Sequence, residues 1–180
     1  MLKFAFIVNM PGLTPENFRG VYENAESHNE IIGVDSMDAA SALVEQLSGE
    51  GFTLYNLCSA FSADDRTVLH ALAGPETRMA AASYSEAEGA KVDALEDFSS
   101  YGIIVQMVGV DEPHVLKVEG PDFKAEAIFV KDMEAAKAAA GKLVEDGVTF
   151  IELCSWFKGD MVDDIVKAID GAVPVGSAGL

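Results

Sequence analysis

Short apolar runs alternate with segments of helical periodicity along the whole chain. Six of the runs fall into two sets of three, at residues 3–9, 30–35, 52–58 and at residues 101–108, 126–131, 148–154. They are apolar at successive positions, which is typical of strands buried on both faces of a parallel sheet. A further short run closes each set, at 79–82 and at 173–176. The pattern predicts four strands in each half of the chain.

Helical segments separate these strands. Apolar residues recur at helical spacing over residues 37–48 and 133–145, which predicts one helix in each half. Ser36 and Asp132 precede these segments at the N-cap positions, where a side-chain oxygen can accept a backbone N–H. The further predicted helices cover about 62–73, 160–170, 14–24 and, as a connection between the halves, 85–98.

The two halves are copies of one sequence. Residues 30–61 align with residues 126–157 without a gap, and 14 of the 32 aligned positions are identical, where chance gives roughly two or three. Each aligned segment ends in Leu-Cys-Ser-x-Phe. The duplication predicts three parts of the chain, namely a first α/β repeat at residues 1–84, a connecting helix or linker at 85–100 and a second α/β repeat at 101–180.

Strands that alternate with helices predict parallel β-α-β units with right-handed crossovers. The expected fold is therefore α/β, with two tandem β-β-α-β-α-β repeats of mostly parallel strands. Such crossovers place the helices of a repeat on one face of its sheet, so the other face needs a cover. We expect the two repeats to cover each other about a pseudo-twofold axis, with their sheet faces inward. A barrel-like (βα) closure is the preferred form, and two packed open-sheet lobes are the alternative.

From Glu30 onward, each repeat resembles an uncharacterised bacterial family of single-domain proteins with the pattern IELCxxF followed by VPVG. The second repeat carries IELCSWF at 151–157 and VPVG at 173–176, whereas the first has YNLC at 55–58 and no VPVG. The resemblance implies a tandem pair of such domains, with no assigned function and no catalytic residues to carry over. The same stretch is similar to βα units of (β/α)8 keto-acid aldolases, which use a strand lysine, and Lys131 is the only lysine so placed.

The composition indicates a soluble globular protein with an acidic surface. Apolar residues make up 49% of the chain and charged residues 23%, and the formal net charge is -18 at pH 7. Nucleic acids and anionic membranes are bound through Lys and Arg patches, so neither is an expected partner. A small-molecule or anion ligand stays open, as do a monomer and a homodimer.

The two cysteines, Cys58 and Cys154, are expected to be free thiols. The apolar start of the chain breaks at Pro11-Gly12 and is too short for a signal peptide, which predicts a reducing, cytoplasmic location. Their apolar strand context predicts equivalent, buried and unreactive positions. The sequence has no C-x-x-C pair, GxGxxG, P-loop or GxSxG motif, so neither a metal nor a cofactor is expected.

The candidate site residues are those expected at the carboxyl ends of the predicted strands. In parallel α/β folds, ligands bind beyond the carboxyl ends of the strands. The eight candidate ligand-binding residues at those ends are Asn9, Asp35, Ser59, Ser62, Gln106, Lys131, Ser155 and Trp156. An anion is expected near Ser59 and Ser62 or near Ser155 and Gly159, where a helix starts. Trp156 aligns with Ala60, so the two halves cannot present identical pockets.

These observations leave two functions open. The favoured one is a structural or interaction module whose duplicated form replaces a homodimer of single domains. The alternative is a small-molecule or anion-binding protein, or a lyase-like enzyme, with its site at the strand carboxyl ends. No paired acid and base identifies catalytic residues, so enzymatic activity is neither predicted nor excluded. A concave apolar cleft with convergent polar groups would favour the alternative.

Overall fold

The computed structural model describes all residues from Met1 to Leu180 as two five-stranded sheets and five helices. The elements of the first repeat are β1 (Leu2–Asn9), β2 (Arg19–Glu23), β3 (Ser27–Val34), α1 (Met37–Gly49), β4 (Leu54–Leu57), α2 (Ala63–Ala73) and β5 (Arg78–Ala81). The connecting helix is α3 (Glu86–Asp93). The second repeat contains β6 (Ser100–Gln106), β7 (His114–Glu119), β8 (Lys124–Val130), α4 (Met133–Glu145), β9 (Phe150–Leu153), α5 (Asp160–Ala168) and β10 (Val175–Ser177).

The two sheets have the same topology. The strand order is β2-β3-β1-β4-β5 in the first and β7-β8-β6-β9-β10 in the second. In each sheet four strands are parallel, and the fifth, β2 or β7, lies antiparallel at one edge. The predicted α/β class, the duplication and the mostly parallel strands are thus confirmed.

The antiparallel edge strands correct the predicted count of four strands per repeat. Residues 14–24, predicted as a helix, contain β2, and β7 lies in the variable connection before β8. Both strands form hairpins with the strand that follows, and most of their residues are exposed or half-buried because they lie at a sheet edge. Their mixed polar and apolar sequences differ from the continuous apolar runs of the parallel strands, and for that reason the strand pattern did not reveal them.

The helices that follow β3 and β8 begin and end as the sequence predicts. The side chain of Ser36 accepts the N–H of Ala39 at 3.3 Å, and Asp132 accepts that of Ala135 at 2.9 Å. Gly51 and Gly147 follow the two helices with φ of 86° and 85°, a left-handed conformation that favours glycine. None of the five helices has both the length and the hydropathy needed to span a membrane.

The inner faces of the two sheets pack against each other. Phe6 on β1 meets Tyr101 on β6 with ring centroids 6.4 Å apart, and Phe18 meets Phe123 at 5.5 Å. A Cβ added to Gly20 on β2 would lie 2.5 Å from Val118 on β7, so the edge strands also touch. One hydrophobic core therefore extends through both repeats.

The sheets do not close into the barrel that the sequence favoured. Their backbones meet in one isolated antiparallel bridge between Ser83, after β5, and Ser177 on β10. A (βα) barrel needs a continuous ladder of parallel strands, and here each sheet ends at an antiparallel edge strand instead. The alternative, two packed open-sheet lobes, is the observed arrangement.

Candidate functional site

A chamber of about 280 Å³ lies between the two sheets, and we refer to it as the Glu152 chamber. Its polar wall comprises Asn9, Cys58, Ser59, Tyr84, Tyr101 and Glu152. Its apolar wall comprises Val8, Met10, Ala60, Val92, Phe98, Phe123 and Phe150. The first sheet presents the carboxyl ends of β1 and β4 to the chamber, the second sheet presents β6 and β9, and α3 covers one side.

Glu152 is the charged residue of the chamber and is 0% exposed. Its carboxylate accepts the N–H of Ser59 at 3.2 and 3.3 Å and the hydroxyl of Tyr84 at 2.9 Å, and the hydroxyl of Tyr101 also donates to it. No ion pair of the structure includes Glu152. Burial raises the pKa of this carboxyl above its ordinary value, although the hydrogen bonds from Ser59, Tyr101 and Tyr84 lower it in part.

The two tyrosines act as donors to this carboxylate. Burial, and then the charge of Glu152, raise the pKa of both Tyr84 and Tyr101 well above the ordinary value of a phenol. Both hydroxyls therefore stay protonated at neutral pH and continue to donate. Tyr101 also stacks on Phe150, with ring centroids 4.7 Å apart. Five of the 13 residues that line the chamber are thus aromatic, and they lie beside one buried carboxylate.

The two cysteines are buried at equivalent positions, directly after β4 and β9. Burial raises the pKa of Cys58 to about 12, and the nearby charge of Glu152 adds to this effect. Burial raises the pKa of Cys154 to about 11. A thiol with such a pKa carries almost no thiolate at neutral pH, so neither cysteine is an activated nucleophile.

A second, open cleft of about 710 Å³ occupies the equivalent place on the other side of the inter-sheet contact. Its polar lining residues are Asn56, Arg78, Gln106, Ser155, Trp156 and Lys158, and we refer to it as the Asn56 cleft. Here the second sheet presents its strand carboxyl ends, after β6 and β9, and the first presents β1 and β4. Ala178 and Gly179 line it, and none of its walls is a helix.

The chamber and the cleft are built on aligned residues. Asn56 in the first repeat aligns with Glu152 in the second, and Ser59 aligns with Ser155. Asn56 accepts the N–H of Ser155 at 2.9 Å and donates to its hydroxyl at 3.1 Å, while Glu152 accepts the N–H of Ser59. In each repeat, the N–H of the serine that follows the cysteine is therefore accepted by a side chain of the other repeat. That side chain comes from the middle of a strand.

The family comparison fits this internal repetition. A model for a family of unknown function, DUF6506, matches residues 2–97 and again residues 99–180. The chain belongs to the DUF6506 family. It carries two family domains in tandem, so the predicted duplication of an uncharacterised family is confirmed.

The other comparisons add no functional assignment to the DUF6506 domains. A search of curated proteins finds no match. Among solved structures, the chain is similar to a solute-binding protein of an ABC transporter system from Conexibacter woesei DSM 14684, at 13% identity and a TM-score of 0.31. That match covers 97% of this chain and 69% of the other. A superposition of this quality supports neither a shared fold nor a shared ligand.

Five of the eight predicted site residues line the two cavities of the DUF6506 pair. Asn9 and Ser59 line the Glu152 chamber, and Gln106, Ser155 and Trp156 line the Asn56 cleft. The remaining three line neither cavity and are exposed, namely Asp35, Ser62 and Lys131. Trp156 is 39% exposed and packs edge-on against Phe157 at 5.0 Å.

The donors expected to hold an anion in the first repeat are already occupied. The N–H of Ser59 is bound by Glu152, and Ser62 caps α2 in a capping box with Asp65, whose carboxylate accepts the Ser62 N–H at 2.8 Å. In the second repeat the N–H of Ser155 is bound by Asn56. No group of three or more His, Cys, Asp or Glu side chains is arranged to hold a metal ion.

The sequence reasoning missed Glu152, Tyr84 and Tyr101. A signal for Glu152 was present, because it is an acidic residue in the middle of the apolar strand Phe150–Leu153 and such a residue must find partners when buried. Its aligned residue, Asn56, is also polar within an apolar strand. No comparable signal marks the tyrosines, since aromatic residues in apolar segments are ordinary core residues.

Proposed function

We propose that this DUF6506 chain binds a small molecule in the Glu152 chamber, between its two repeats. The observation that carries the proposal is a fully buried carboxylate, without a basic partner, on the wall of an apolar chamber of about 280 Å³. Ligand pockets combine apolar walls with a few convergent polar groups in this way. The chamber also lies at the carboxyl ends of β1 and β4 of the first sheet, and ligands of parallel α/β folds bind at such ends.

The architecture alone does not require a carboxylate at this position. In the Asn56 cleft, the amide of Asn56 satisfies the equivalent N–H of Ser155. A neutral amide is cheaper to bury than a carboxylate. A carboxylate is therefore not needed for the bond between the repeats, and that of Glu152 also accepts the hydroxyls of Tyr84 and Tyr101 in the wall of the chamber.

A second role concerns the duplication itself. The reciprocal contacts from Asn56 to Ser155 and from Glu152 to Ser59 are those expected if two single domains paired about an approximate twofold axis. We propose that the tandem arrangement replaces such a homodimer and lets the two cavities diverge. Divergence is visible at Ala60 and Trp156, which are aligned but line the chamber and the cleft respectively.

Enzymatic activity has no support of this kind. The lysine that resembles a Schiff-base residue, Lys131, lines neither cavity. Cys58 lines the chamber, but burial raises its pKa to about 12. We therefore propose binding and not catalysis.

A matched pair of variants tests the binding proposal. Ala60→Trp places in the chamber wall the residue that the second repeat has at the aligned position, and Trp156→Ala makes the reverse change in the cleft. A fragment that binds the native state, present at 100 times its Kd, raises the free energy of unfolding by about 2.7 kcal/mol and Tm by about 5–10 °C. The A60W variant should lose this shift and W156A should retain it.

The opposite outcome would contradict the proposal. If fragments that stabilise the wild type also stabilise A60W to the same extent, they bind elsewhere. If W156A alone abolishes the shift, the cleft and not the chamber is the binding site. Because Ala60 is exposed, A60W should fold normally, and its circular dichroism spectrum checks this.

A further inference from the structure

We infer that the ligand of the Glu152 chamber is a small organic cation, an amine or ammonium group on an apolar body. The inference rests on the proposed binding function and adds the chemistry of the ligand. It depends on the charge of the chamber, the character of its walls and its size, each of which is independent of any relative of the chain.

The charge of the chamber selects a cation. Glu152 is the one charged side chain in its wall, and no Lys, Arg or His residue lines it. The Glu152 carboxylate has no basic partner, and because it is 0% exposed and already hydrogen-bonded, its charge acts on a ligand through space and not by direct contact. An anionic ligand in the chamber would be repelled by the same charge. The net charge of -18 also raises the concentration of cations near the surface.

The walls of the chamber suit the same ligand. Tyr101 lies between Phe123 and Phe150, at 6.0 and 4.7 Å between ring centroids, and Phe98 packs edge-on against Phe150 at 5.6 Å. Tyr84 also lines the chamber, and its hydroxyl donates to Glu152. Aromatic rings attract cations through the negative potential of their faces.

The volume of the chamber limits the ligand to a small molecule. A cavity of about 150 Å³ can hold benzene, so the chamber of about 280 Å³ can hold an aromatic ring with a short amine substituent. A metal ion is a poorer fit, because Glu152 is the one acidic residue in the wall and no group of three ligating side chains is present.

The Asn56 cleft shows that this charge is specific to the chamber. Its wall has the neutral Asn56 in place of Glu152, and it contains two basic residues, Arg78 and Lys158. A cation is therefore expected to prefer the chamber, although both cavities are built on the same repeat. The contrast supplies an internal control for the location of binding.

Three probes of matched shape test the inference on the intact chain. Benzylamine, benzyl alcohol and benzoate carry a positive charge, no charge and a negative charge at pH 7.5. We expect benzylamine to bind at least about tenfold more tightly than benzyl alcohol, and benzoate not to bind in the chamber. Titrations followed by NMR measure each affinity. The assigned ring signals of Tyr84 and Tyr101 report whether the probe binds in the chamber.

Two variants connect the affinity with Glu152. Glu152→Gln removes the charge but keeps an amide that can accept the Ser59 N–H, as Asn56 does for Ser155, so it should fold. It should remove the preference for the amine. Glu126→Gln is the matched control, because Glu126 is a largely buried carboxylate with lysine partners that does not line the chamber. It should leave the preference unchanged.

The outcomes separate this inference from the proposed function. If benzyl alcohol or benzoate binds in the chamber as tightly as benzylamine, the cation inference is wrong and the binding function stands. An amine preference that survives in E152Q also overturns the inference. If none of the three probes binds in the chamber, both proposals fail.

Discussion

The carboxylate of Glu152, in the second repeat, accepts the backbone N–H of Ser59, in the first, at 3.2 and 3.3 Å. The two residues are far apart in sequence, and this bond brings together the middle of one sheet and the carboxyl end of the other. Its counterpart joins Asn56 to Ser155 at 2.9 Å. The aligned residues Asn56 and Glu152 thus each form a bond between the repeats. Glu152 also places a negative charge in the wall of the chamber.

The pH dependence of stability should reveal this buried carboxyl. Burial raises its pKa above the value in the unfolded chain, about 4.3, so the folded state binds the proton more tightly. Its contribution to the free energy of unfolding is complete below about pH 4.3 and is lost as the pH rises through the folded-state pKa. E152Q has no carboxyl at this position and should not lose stability in this way. Its free energy of unfolding relative to wild type should therefore increase as the pH rises from about 4.3 through the folded-state pKa of Glu152. Urea unfolding from pH 4 to 8 measures the difference, and a constant difference would contradict the assigned burial.

The contact between Asn56 and Ser155 should contribute to stability. Asn56→Ala leaves the N–H of Ser155 without its acceptor at a site where Asn56 itself is fully buried. We expect the free energy of unfolding to fall by about 1–3 kcal/mol. Asn17→Ala is the control, since Asn17 is exposed and bonded only within its own loop, and its effect should stay within about 0.5 kcal/mol. Equal effects of the two variants would contradict a special role for the inter-repeat bond.

The thiols should be inert in the native protein. Cys58 and Cys154 are buried, and burial raises their pKa to about 12 and about 11. A thiol reagent at pH 8 should therefore modify neither cysteine until the chain unfolds, and both should react in denaturant. Mass spectrometry counts the labels. Fast native modification of Cys58 would mean that the chamber exposes its sulfur, against the structure.

A single family domain should not be a stable monomer. In residues 2–97 expressed alone, the inner sheet face that carries Phe4 and Phe6 would lose its cover from the second repeat. We expect this fragment to dimerise or aggregate, because an exposed apolar sheet face favours association. Size-exclusion chromatography with light scattering compares it with the full chain. A stable monomer that binds no hydrophobic dye would contradict the view that the repeats need each other.

Much of the fold could be predicted from local sequence. Ser36, Asp132, Gly51 and Gly147 mark helix ends through their own backbone chemistry, which does not depend on distant contacts. The identical positions of the two repeats indicated the duplication directly. The edge strands β2 and β7 were missed because their mixed polar and apolar sequences carry no strand pattern, and they become strands by pairing with β3 and β8.

The candidate site could be predicted only in part. The expectation that ligands bind at the carboxyl ends of strands led to Asn9 and Ser59, which line the chamber. Glu152 lies in the middle of its strand and not at the end, and it reaches the site because the other repeat places Ser59 against it. How two sheets face each other is a tertiary relationship, which neither periodicity nor spacing within one repeat contains.

The location of a bound amine tests the central claim most directly. In a crystal of the full chain soaked with benzylamine, we expect the ammonium group in the chamber on the side of Glu152, with the ring against the exposed Phe98. The donors to the Glu152 carboxylate should stay in place. A parallel crystal of E152Q should show clearly lower occupancy of the chamber at the same concentration. An amine found only in the Asn56 cleft beside Trp156, or an equally occupied chamber in E152Q, would contradict the claim that Glu152 forms a cation-binding site.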